Sequence, residues 1–267
     1  MEIDDILASV SHADVSSPES TALDHQLLTR FWVAERSVPE LLPWPARLME
    51  RMMERVRQQI ETIEDLAASS SDPTTSTSSS NATLTLSILQ TDLSRTQYLF
   101  RSVLRQRLSK ITKHSMFYLL STGSTAQTPP PASGSNEAKH QAPEDSIPLP
   151  PASLPKSCPL SESEVNFLFT HQQLLARHFG SSFLGSFPPQ LRRLDDNAGG
   201  TSMVQGPDRR EVVFVRCVAE EVSVLAPPEQ GVNEETLVGG SMRTGDIWVV
   251  RWEGVREAWE RGEVEVL

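Results

Sequence analysis

TLTLSILQTDLSRTQYLFRSVLRQRLSKIT, residues 83–112, reads as one uninterrupted helix. Ile88, Leu89, Leu93, Leu99, Phe100, Val103, Leu104, Leu108 and Ile111 recur at three- and four-residue intervals, the spacing that puts side chains on one helical face. Thirty residues at ~1.5 Å each make a rod of roughly 45 Å, longer than a small globule needs. The predicted start lies near Asn81, and KHSMFYLL after it adds a short turn.

Working towards the N-terminus, polar low-complexity sequence at 69–80 forms a connector. Before it, ARLMERMMERVRQQIETIEDL (46–66) is an amphipathic helix with Met49, Met52 and Met53 on its apolar side. Pro45 suits its first turn. VPELLPWP then interrupts the helical pattern, because Pro39, Pro43 and Pro45 lack an N–H and restrict the residue before them. Ala22–Ser37 is a further helix carrying Leu23, Leu27, Leu28, Phe31 and Trp32, with Ser20, Thr21 and Asp24 as capping oxygens.

Towards the C-terminus, a Pro/Ser/Ala-rich tract over 121–157 separates these helices from LSESEVNFLFTHQQLLARHFGSSFLGSFP (160–188). Ser161 or Ser163 caps that fourth helix, and Pro188–Pro189 close the region. The pattern then changes to short β-branched runs, EVVFVRCV, EEVSVL, DIWVVRW and GEVEVL, with a short helix ending at Gly262 before the last. The expectation is an α+β chain: a tail at 1–20, a helical bundle of about four main helices at 21–188 interrupted by linkers 69–80 and 121–157, and a small β domain at 189–267.

The formal net charge of −11 argues against a surface built wholly to grip phosphates. Two cysteines, Cys158 and Cys217, provide neither a disulfide framework nor a zinc quartet. No signal peptide or bilayer-length apolar run is read. Asp195–Asp196 sit among turn residues, and His171 with His178 lack a companion acid. The Gly-rich AGGTSM and VGGSMRTGD lack a phosphate loop's lysine and spacing. No catalytic, metal or cofactor set emerges.

Two surfaces remain. The first is MEIDDILASV, where Ile3, Ile6, Leu7 and Val10 form a stripe with Asp4 and Asp5 in the first turn. A helix so short does not persist alone in water, so the stripe either folds back on its own domain or enters another protein's groove. The second is the basic run Arg101, Arg105, Arg107, Lys110 and Lys113, expected to face outward mostly. A solvated or ion-paired face is favoured there over a weak DNA contact through Arg101, Arg105 and Lys110. Phe31, Trp32, Trp44, Met52, Met53, Phe100, Leu104, Trp248 and Trp252 are candidate interface residues, because the helices carry more apolar surface than one chain can cover.

Several blocks together resemble the Sld-five-type subunit of the GINS complex: LTRFWVAERSVPELLPWP, SILQTDLSRTQYLFRSVLRQRLSKITKH, FLFTHQQLLARHFGSSFLGSFP, LDDNAGGTSMVQGPDRREVVFVRCV and RTGDIWVVRW. ERSVPELLPW and DDNAGG…PD are the most telling. The resemblance implies a non-enzymatic subunit of a nuclear heterotetramer that joins the MCM ring and a RecJ-like partner in the active replicative helicase. It also implies that the IDDIL segment engages a trimeric adaptor of the Ctf-four/AND-one type. The alternative is a free-standing DNA-binding adaptor using the basic face of the third helix.

Overall fold

The computed structural model describes residues 18–70, 79–123, 143, 147–148, 150–151, 158–188, 191–192, 194, 204–226 and 238–267. Six helices are described: α1 (Pro18–Ser37), α2 (Ala46–Ser70), α3 (Ser79–Lys113), α4 (Ser115–Thr122), α5 (Glu162–Ser182) and α6 (Trp252–Glu260). Five strands lie in the C-terminal part: β1 (Val212–Cys217), β2 (Glu221–Ala226), β3 (Val238–Arg243), β4 (Ile247–Arg251) and β5 (Val264–Val266). The α+β order is as expected, but α4 is a separate helix rather than a turn. The helices trim the first predicted linker at both ends, since Ser69–Ser70 and Ser79–Ser80 are helical.

The chain divides into two compact units. One gathers the described residues of Met1–Ser37, Pro45–Gln106 and Val212–Leu267. Asp24 lies two turns into α1 and is buried, so it does not cap the helix. Arg51 of α2 donates to it through Nε and Nη2 at 3.0 and 2.7 Å, and Arg55 approaches to 2.8 Å. Those charges hold the Asp24 carboxyl below its ordinary range, the Arg51 hydrogen bond being the largest cause. Gln59 of α2 donates to the Leu89 carbonyl and to Asp92 on α3.

In the same unit β4, β1 and β5 form an antiparallel sheet in that order, and β2 pairs with β3 in a second. The sequence reading missed β3, because VGGSMR has weak strand propensity. Its pairing with β2 sets the conformation, and Gly240 leaves room for the Trp248 ring, which a Cβ would meet at 2.9 Å. Helix α6 buries Trp252, Val255 and Ala258 and packs on β2, β4 and β5. Gly262, at φ 76°, takes the left-handed position that ends it. The sheet is anchored on α1: Arg30 pairs with Glu265 at 3.0 Å, and the Ser37 hydroxyl donates to the Leu267 carbonyl.

The second unit comprises Val38–Trp44 and the described residues of Arg107–Glu211. Leu41, Ile111, Tyr118, Leu119, Leu160, Val165, Leu168 and Phe169 form its core. Of the two predicted caps Ser161 is the one used: its hydroxyl accepts from the Glu164 N–H, and Glu164 accepts from the Ser161 N–H.

Candidate interaction surfaces

Alternation along β1 sends Val213, Val215 and Cys217 inward and Val212, Phe214 and Arg216 outward. The register pairs Phe214 with Val249, Val212 with Arg251, and Arg216 with Ile247 on the outer face. That face carries Val212, Phe214, Ile247 and Val249, with Phe214 58% and Val249 57% exposed. A half-solvated antiparallel sheet ordinarily turns polar residues to water. Beside Arg216, Glu265 and Arg251, this one exposes four large apolar side chains, the kind of patch that marks a surface meeting another protein.

The helices of the same unit leave similar surplus. Leu23 on α1, Met53 on α2, and Leu84, Ile88, Tyr98 and Leu104 on α3 are exposed. Among the candidate interface residues, Met53 and Leu104 thus lie open, whereas Phe31, Trp32, Phe100 and Trp248 are half-buried. Met52 and Trp252 are only 3% and 1% exposed, so the assignment of these two to an outer interface is corrected: Met52 is core, and Trp252, the first residue of α6, is buried with its ring against Trp259. Trp44, half-buried in the second unit, supports the Arg107 guanidinium, 5.2 Å from its ring centroid. From the end of α5 in that unit, Phe179, Phe183 and Phe187 continue as a chain of ring contacts onto exposed surface.

The basic run of α3 is not one outward face. Arg101 and Arg105 are exposed, and so is Lys113. Arg107 is fully buried and grips Glu164 at 2.7 and 3.0 Å, while donating to the carbonyls of Leu42 and Pro159. Lys110, 8% exposed, donates to the Glu40 carbonyl, which removes it from the proposed DNA contact. The Tyr118 hydroxyl accepts from the Leu41 N–H. Three side chains therefore secure the Pro-rich segment 38–44, whose prolines preclude regular backbone pairing. The signal was in the spacing: Arg107 stands four residues from both Val103 and Ile111, on the buried stripe.

Ile3, Asp4, Asp5, Ile6, Leu7 and Val10 lie outside the described residues, as do Asp195 and Asp196. Among the described residues, no cluster of three His, Cys, Asp or Glu side chains is placed to hold a metal ion. Burial pushes the Cys217 thiol up, and the Asp246 carboxylate adds to the effect, so it packs as a small apolar group rather than a nucleophile. No described helix is long and apolar enough to cross a membrane.

Family comparisons meet these surfaces at both ends. The model for "DNA replication complex GINS protein SLD5 C-terminus" matches residues 207–267, and that for "GINS complex protein helical bundle domain" matches 59–183. A DNA replication complex GINS protein SLD5 of Chaetomium globosum is 34% identical over 268 residues, spanning 100% of both chains. The chain belongs to the GINS SLD5 family. The SLD5 protein of Yarrowia lipolytica is 29% identical over 98% of this chain and 84% of its own. That of Arabidopsis thaliana is 29% identical over 98% of this chain and 100% of its own. The helical-bundle match covers the C-terminal part of α2, from residue 59, all of α3 and α4, and α5, and the C-terminal match covers both sheets and α6. In this SLD5-family chain the exposed faces therefore belong to a subunit of a DNA replication complex.

Proposed function

We propose that this chain is a non-enzymatic, structural subunit of a nuclear heterotetramer formed with three sister GINS subunits. The observation that carries the reading is the apolar patch on the outer sheet face, with Val212, Phe214, Ile247 and Val249 turned to solvent. Full burial of side chains of this size contributes ~1.5–3 kcal/mol each, enough to make sister subunits part of the fold. The assembled complex then serves as a bridge between the MCM ring and a RecJ-like partner in the replicative helicase. The support for that step is the sequence resemblance set out above.

The N-terminal stripe Ile3, Ile6, Leu7 and Val10, flanked by Asp4 and Asp5, is the segment through which the complex recruits a trimeric adaptor. Each contact is weak, because ordering the backbone costs about 1–2 kcal/mol per residue, and a trimeric hub offsets this through several clients. DNA binding by an isolated chain is disfavoured, since Arg107 and Lys110 are committed to buried contacts.

Co-expression with sister subunits tests the main reading. The chain alone is expected to aggregate, and the four-subunit mixture to yield one soluble complex. A lone chain that is monodisperse and melts cooperatively would sink it. For the adaptor, a peptide covering residues 1–15 should bind and lose binding when Ile6 and Leu7 become alanine.

A further inference from the structure

Between α1, α2 and α3 the first unit holds a cavity of about 600 Å³ beside a second of about 470 Å³. His25 and Arg95 line both, so the two form one groove. Its floor is Met52 and Val56, and its far end is Tyr98 and Leu99. Arg95 is exposed, and neither it nor the His25 ring has an ion pair among the described residues. Arg55 adds a second cationic group, held by Asp24 and Ser20, and Asp92 on the wall is engaged by Gln59. The groove is thus apolar below, with the Arg55 and Arg95 guanidiniums and the Asp92 carboxylate along its rim.

We propose that this groove is the resting seat of the chain's own N-terminal segment, residues 3–10. Four observations select this occupant. Thr21 and Ala22 line the groove one turn beyond Pro18, where the N-terminal seventeen residues join α1. From Thr21 to Thr29 it runs eight residues along α1, ~12 Å, the length of an eight-residue helix. Residues 11–17 supply up to ~24 Å of tether, enough to turn the segment back. Finally, residues 1–17 carry Glu2, Asp4, Asp5 and Asp14 with no lysine or arginine, complementary to the exposed Arg95 guanidinium. The stripe Ile3, Ile6, Leu7 and Val10 covers the apolar floor, and Asp4 and Asp5 face Arg95.

The seat hides the residues assigned to adaptor recruitment, so the consequence, though not the geometry, rests on that reading. Adaptor and groove compete, and apparent affinity falls by the fraction of segment that is free.

The test places a benzophenone amino acid at Ile6 of the full chain within the assembled complex and maps its photo-adducts. Adducts on α1 and α3 near Thr29 and Tyr98 are expected. They should fall roughly fivefold with Arg95→Glu and return when Asp4→Lys and Asp5→Lys are added. Arg95 is exposed, so its replacement leaves the fold intact. Adducts on a sister subunit, or ones indifferent to Arg95→Glu, overturn the proposal. In a second arm, free peptide 1–17 should bind the adaptor roughly three- to tenfold tighter than the complex does, and Arg95→Glu in the complex should close the gap. Equal affinities also overturn it. A peptide that fails to bind the adaptor defeats the recruitment reading instead, while the adducts still decide the groove.

Discussion

Asp24 illustrates how one side chain takes a role its position in the sequence does not announce. Near a helix start an aspartate reads as a cap, yet here it joins α1 to α2 through Arg51 and Arg55. Its depressed pKa means that the stabilisation is complete above the unfolded value of ~3.9 and is lost as pH falls through the lower folded value. Asp24→Asn should therefore cost about 1–3 kcal/mol at neutral pH, with the gap to wild type closing below about pH 4. Denaturant melts of the assembled complex across pH 3–8 check both sign and window. Gly262 is a simpler case: at φ 76° it has open space around it but a backbone that L side chains avoid. Gly262→Ala should destabilise by ~1 kcal/mol, whereas Gly240→Ala, which drives a methyl into Trp248, should cost about 1–3 kcal/mol. Thermal denaturation of the two variants side by side separates strain from clash.

Helix α3 joins two kinds of surface in one rod. Its Val103–Arg107–Ile111 row is buried, and its Leu104–Leu108 row is open. Arg107 gathers α5 and the Pro-rich 38–44 segment through Glu164, Leu42 and Trp44. Removing one partner of such a buried pair leaves the other charge without compensation. Glu164→Gln should cost ~3–5 kcal/mol, and Arg105→Gln, two residues from Arg107 and exposed, less than ~0.5 kcal/mol. Urea midpoints of the two variant complexes give the comparison, and near-equal values would contradict the assigned role of Arg107. The length, start and apolar richness of α3 were readable from periodicity. Which of its cations were buried was not read, because Arg107 was counted with its charged neighbours instead of with the stripe it interrupts.

Assembly depends on surfaces that no single element defines. The outer sheet face arises only because β1 and β4 pair in a register that sets Phe214 opposite Val249 and brings Ile247 alongside. Replacing Phe214 and Val249 together by serine should make the lone chain more soluble and reduce recovery of sister subunits at least roughly tenfold, the equivalent of ~1.4 kcal/mol. Pull-down yield and static light scattering read the two effects, and unchanged recovery would mean that the face is not an interface. The succession of helices followed by strands, a serine cap at 161 or 163, the stop at Gly262 and the family were all legible in the residues. Each depends on neighbours within a few positions or on an ordered set of blocks. By contrast, the strand at Val238–Arg243, the burial of Arg107, Lys110, Met52 and Trp252, and the Asp24 link needed partners distant in the chain. Local spacing specifies which side of an element is apolar. Only long-range packing decides whether that side ends in the core or is left for another chain.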